Sequence, residues 1–131
     1  MNKGRVTKAV LIDDSDIDLF IQKRFLEVYH FSEELVLYKS ADEALTSLKT
    51  TDDPPDVIFL DLNMPDADGF TFLKNFKSLP ANVTRKSKIV VLTSSESNID
   101  RDYVLTFHSV IHFITKPLKH SDIEDLKIIL K

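Results

Sequence analysis

The chain has 131 residues, 43% hydrophobic and 29% charged, with a formal net charge of −4. That balance suits one domain with a real core and excludes a general nucleic-acid binder, which would be basic. There is no cysteine, hence no disulfide frame and no thiolate metal site, and no apolar run approaches the ~18 residues of a membrane span.

The basic start MNKGRVTK is not followed by a leader-type apolar stretch, because acids arrive at Asp13. The expectation is a cytoplasmic protein with a single domain over 1–131, its core at about 6–130, and no output domain. The first apolar run, AVLI (9–12), reads as a strand. Ile17, Phe20, Ile21, Phe25 and Val28 then recur at helical spacing. LVLY (35–38) is a second strand, and Ser40 with Glu43 reads as a capping box opening a second helix. VIFL (57–60) is a third strand, and Phe70, Leu73 and Phe76 mark a third helix. The polar stretch SLPANVTRKSK (78–88) reads as a loop before IVVL (89–92), the fourth strand. Ile99, Tyr103 and Phe107 mark a fourth helix, VIHFI (110–114) a fifth strand, and Ser121 with Glu124 a capping box for the last helix. The strand segments do not alternate apolar with polar, as expected of strands covered on both faces. Five βα units with right-handed crossovers predict an α/β fold with a five-stranded parallel doubly wound sheet.

The residues just past each strand carry the chemistry. Asp13 and Asp14 come after the first, Asp61 after the third, Thr93 and Ser94 after the fourth, and Thr115, Lys116 and Pro117 after the fifth. Only the second strand, ending in Lys39-Ser40, contributes nothing unusual. In an open parallel sheet the ligand crevice lies at the carboxyl ends of the strands, so these groups converge. Three close carboxylates repel; either one keeps its proton or a cation neutralises them. An all-oxygen set suits Mg²⁺, and the backbone carbonyl of Asn63 could complete it. A metal and the Lys116 ammonium can clamp phosphoryl oxygens, Thr93 can donate to them, and an aspartate can accept the phosphoryl group as an acyl phosphate.

Asp13-Asp14, Asp61 with NMPDADG, Thr93-Ser94 and Lys116-Pro117 occur in order at these strand ends. The set resembles the receiver domain of bacterial two-component response regulators, in its stand-alone chemotaxis-protein-Y-like form, with a flavodoxin-like (βα)5 fold. The resemblance implies that Asp61 takes a phosphoryl group from a sensor histidine kinase or a phosphotransfer protein. It implies Mg²⁺ ligation by Asp14, by Asp13 largely through water, by Asp61 and by the Asn63 carbonyl. Lys116 would contact the phosphoryl group, with a cis peptide bond to Pro117, and Thr93 would move toward it. Phe113 would then swing inward and alter a protein-binding face made of the fourth helix, fifth strand and fifth helix. Such a protein is a switch, not an enzyme with a separate substrate. Its output would be contact with another protein or onward transfer of phosphate in a relay; if phosphorylation also pairs two copies, the same face is the place for it. No nucleic acid and no membrane would be involved.

Some positions depart from the commonest pattern. Ser94 stands where alanine or glycine is frequent, His112 where glycine often precedes the switch aromatic, and Phe113 lacks a tyrosine hydroxyl. Asn63 and Ser95 lie where the family tunes phosphate lifetime, and both are neutral. Three other readings compete. A haloacid-dehalogenase-like phosphohydrolase would need a second acid where Asn63 stands. A pseudo-receiver would not need the full set of acids, Thr93 and Lys116. A flavin-binding flavodoxin-like protein would place a phosphate where Asp13-Asp14 would repel it. Asp66 and Asp68 read as solvated loop acids, and the four histidines show no metal spacing.

Overall fold

A computed structural model describes residues 6–62, 69–94 and 98–130. The elements run β1 (Val6–Ile12), α1 (Asp16–Val28), β2 (Ser32–Tyr38), α2 (Ala41–Thr50), β3 (Val57–Asp61), α3 (Gly69–Phe76), α4 (Ala81–Lys86), β4 (Lys88–Thr93), α5 (Asn98–Val104), β5 (Val110–Thr115) and α6 (His120–Ile129). All strand pairs are parallel, in the order β2-β1-β3-β4-β5. The predicted five-stranded parallel sheet is therefore present. Among the described residues the register shifts between Ile89 and Val90, where β4 meets the edge strand β5.

Side chains alternate across the sheet, and each face buries its own core. On one face Val10, Ile12, Ile58, Leu60, Ile89 and Val91 pack under α2, α3, α4 and α5. On the other, Ala9, Leu11, Val57, Phe59, Val90 and Leu92 pack under Leu19 and Leu26 of α1 and Ile123 and Leu126 of α6. β3 is buried at all five positions, which is why VIFL shows no alternation.

Local chemistry sets the element ends. Ser40 caps α2, its hydroxyl accepting from the backbone N–H of Asp42 and Glu43 at 3.1 and 3.3 Å, a contact worth about 1 kcal/mol. Ser15 caps α1 in the same way through the Asp18 N–H. α1 gives way at His30, whose φ of 48° is left-handed, the usual means of ending a helix. At the bottom of the sheet the Asp56 carboxylate accepts from the Thr7 and Lys8 N–H groups, tying the start of β1 to the residue before β3.

Three expectations need correction. The stretch read as a loop over 78–88 contains the short helix α4, so the expected fourth and fifth helices are α5 and α6. Phe107 lies beyond α5, which ends at Val104. The last helix opens two residues earlier than its Ser121–Glu124 signal: Lys119 is the N-cap, and its N–H donates to the Asp122 carboxylate at 2.8 Å. That bond is charge-assisted, of a kind stronger than a bond between neutral groups. The helix expected after β1 is present, but the apolar row that marks it is not its buried face. Ile17, Phe20, Ile21 and Val28 are exposed and Phe25 is half-buried, while Leu19, Gln22 and Leu26 face the sheet.

Candidate functional site

The strand order puts β1, β3, β4 and β5 side by side, with β2 outside β1. The one strand whose end carries no chemistry is thus an edge strand, and the other four bring Asp13, Asp61, Thr93 and Lys116 to one rim. The Lys116 N–H donates to the Thr93 carbonyl at 2.8 Å, which fastens the end of β5 to the end of β4. The Asp13 N–H donates to the Tyr38 carbonyl at 3.1 Å.

Asp13 is 1% exposed, and a buried carboxylate must be hydrogen-bonded. Its Oδ1 accepts from the Ser15 N–H at 3.0 Å, and its Oδ2 accepts from Gln22 Nε2 at 3.2 Å and Lys116 Nζ at 2.8 Å. Asp61 is also buried, with Oδ2 3.6 Å from Lys116 Nζ. Asp14 is exposed at the mouth. One carboxylate oxygen from each of Asp13, Asp14 and Asp61 lies within 4.8 Å of the others. That grouping can hold a metal ion, and its donor set of hard oxygens fits Mg²⁺ or Ca²⁺ and not a thiophilic ion.

Lys116 is the site's cation. Burial acts to push its ammonium down, but hydrogen bonds to Asp13 and Asp18 and the charges of Asp61 and Asp13 outweigh it, so its pKa lies above the ordinary 10.5. The bond to Asp18 Oδ2, at 2.9 Å, is a contact the strand-end reading does not contain. Nor does it contain Gln22. These two residues are four apart on α1 and line one small cleft with Lys116, Pro117 and Leu118. The available signal was a polar Gln22 at helical spacing between Leu19 and Leu26.

Thr93 is buried and Ser94 is exposed. Phe113 is half-buried against the first of the two cores. The Lys116–Pro117 peptide bond is cis, as the family resemblance implies. Asn63, Asp66, Asp68 and Ser95 lie outside the described residues. Gly69, which opens α3, donates its N–H to the Leu62 carbonyl. A Cβ there would stand 2.8 Å from Leu62 Cα and 2.9 Å from the Asp61 carbonyl oxygen. Glycine therefore lets α3 start directly against the backbone that carries Asp61.

Residues 9–127 match the family model of the response regulator receiver domain. The chain belongs to that family. Among relatives, it is 35% identical over 114 residues to protein-glutamate methylesterase/protein-glutamine glutaminase 3 of Rhodospirillum rubrum, covering 86% of this chain and 28% of that protein. It is 30% identical over 126 residues to the sensor histidine kinase CheAY of Helicobacter pylori, covering 89% of this chain and 15% of that protein. The chain thus spans less than a third of either relative. Among solved structures, a two-component response regulator from Cytophaga hutchinsonii superposes with a TM-score of 0.87 at 26% identity, covering 96% of this chain and 97% of that one. A response regulator receiver protein from Dyadobacter fermentans gives 0.85 at 27% identity, covering 95% and 97%. The receiver domain is a phospho-acceptor switch by family, and this chain has its (βα)5 sheet with the extra helix α4.

Proposed function

We propose that this receiver takes a phosphoryl group on Asp61 from the phosphohistidine of a sensor histidine kinase or phosphotransfer protein. The observation that carries this reading is the grouping of Asp13, Asp14 and Asp61 within 4.8 Å, with the Lys116 ammonium 3.6 Å from Asp61. In the transfer an Asp61 carboxylate oxygen attacks phosphorus, the N–P bond of the donor breaks, and the imidazole leaves with its electron pair. Mg²⁺ bound by Asp13, Asp14, Asp61 and the Asn63 carbonyl would supply charge neutralisation of the phosphoryl oxygens. Lys116 stabilises the same charge from the β5 side. Thr93 and Ser94 lie at the end of β4, where Thr93 would bond the new phosphoryl group and small Ser94 leaves it room. Phe113, half-buried in an edge strand, then turns inward.

We place the output on α5, β5 and α6, where Ile99, Tyr103 and Leu105 are exposed apolar residues at or just past α5. The occupant is a downstream protein, a relay partner or a second copy. No helix among the described residues is long and apolar enough to cross a membrane, in keeping with a cytoplasmic partner of a kinase. The protein turns over no substrate other than its own phosphoryl group.

The test is intact mass after incubation with phosphoramidate or acetyl phosphate, and with a phosphorylated kinase as a further donor. One phosphoryl group should be gained, only with Mg²⁺ present, and Asp61→Asn should gain none. Label retained on Asp61→Asn would move the acceptor elsewhere, and no label from any donor would leave a pure interaction module.

A further inference from the structure

We infer that Asp18 is a positioning residue for Lys116: from the first turns of α1 it tethers the ammonium beside Asp61. The inference rests on the phospho-acceptor reading above and adds a residue outside the strand-end set. Asp18 Oδ2 is 2.9 Å from Lys116 Nζ, Asp13 Oδ2 is 2.8 Å away, and Asp61 Oδ2 is 3.6 Å away. An ammonium has three donors on a flexible four-carbon stem. Two are taken by Asp13 and Asp18, and the third side faces Asp61.

The two tethers are not equivalent. Asp13 belongs to the carboxylate grouping that can hold a cation, and a cation there would compete with the ammonium for its charge. Asp18 lies outside that grouping and would keep its hold. Asp13 is itself fixed from the same helix face by Gln22, four residues after Asp18. Gln22 is 5% exposed, and its Oε1 has no hydrogen-bond partner among the described residues. A polar side chain buried at that cost on a core face of α1 fits a stripe shaped for the site and not for packing alone. The tether need not break on phosphorylation, because the side of the ammonium that faces Asp61 is not engaged by Asp18. It removes a search over lysine rotamers before transfer, as positioning groups do.

Asp18→Asn and Asp18→Ala separate placement from charge. Both remove the same negative charge, but only asparagine leaves an oxygen to accept from Lys116. At saturating Mg²⁺, Asp18→Ala should take phosphoryl groups from phosphoramidate about 3- to 10-fold more slowly than Asp18→Asn. Equal rates for the two variants, or a faster Asp18→Ala, would overturn the tether. A second readout needs no phosphoryl chemistry: the ¹⁵Nζ ammonium signal of Lys116, assigned by its loss in Lys116→Arg. It should persist in wild type and Asp18→Asn and broaden away by solvent exchange in Asp18→Ala. An unchanged signal in Asp18→Ala overturns the tether whatever the rates. If wild type takes no label from any donor, the phospho-acceptor reading fails, and the ammonium signal still decides whether Asp18 holds Lys116.

Discussion

Lys116 donates hydrogen bonds to Asp13 and Asp18 and stands 3.6 Å from Asp61, and its pKa is raised above 10.5. A group whose folded pKa exceeds its unfolded value contributes stability that is complete below the unfolded value and lost as pH rises through the folded one. The pH window therefore opens just above 10.5. The difference in unfolding free energy between wild type and Lys116→Met should be constant from neutral pH to about 10 and shrink above it. Denaturant titrations along that range measure it; a difference that grew with alkalinity would show that the ammonium is not stabilised by its neighbours. Asp13 and Asp61 were legible because each comes directly after an apolar run, and Lys116 because it stands one residue past another; a parallel sheet must bring strand ends together. Asp18 and Gln22 were not, because they sit inside a helix, where a polar residue normally means solvent. Only the rotation of α1 about its axis turns them toward the rim.

That rotation matters at the level of elements too. Spacing of Ile17, Phe20, Ile21, Phe25 and Val28 identifies a helix, but it carries two apolar faces and the longer row is the outer one. The buried face has only Leu19 and Leu26 as apolar residues, with Gln22 between them. Leu26→Ala should cost about 2–5 kcal/mol, whereas Phe20→Ser, at a residue 62% exposed, should stay within about 0.5 kcal/mol. Thermal or urea unfolding of the pair checks this, and a large cost at Phe20 would reverse the assignment of faces. α4 escaped the sequence for a different reason. It has six residues, buries only Val83, and starts after Pro80 without a side-chain cap, so neither periodicity nor a capping signal marks it. The start of α6 escaped because a lysine is an unusual N-cap, and the informative residue was Asp122, reaching back to it.

Across the whole molecule, the five short apolar runs were enough to foresee the sheet, because strands covered on both faces can belong to few other architectures. The order β2-β1-β3-β4-β5 has a consequence for how the domain breathes. The strands that carry Asp13, Asp61 and Thr93 are the three inner ones, so their amides are shielded by a neighbour on each side. Leu11, Phe59 and Val91 should exchange their hydrogens only when the entire domain opens, while the edges β2 and β5 exchange through smaller fluctuations. A divalent ion seated on those acids, at 100 times its dissociation constant, would add about 2.7 kcal/mol to global stability. Exchange at the three central amides should then slow about 100-fold on adding Mg²⁺, although the nearest of them lies a residue or more from any carboxylate. Slowing confined to the rim would mean that the ion is not coupled to folding. The hydrogen-exchange clock of the core thus becomes a gauge of whether the rim is occupied, readable without a phosphoryl donor or a partner.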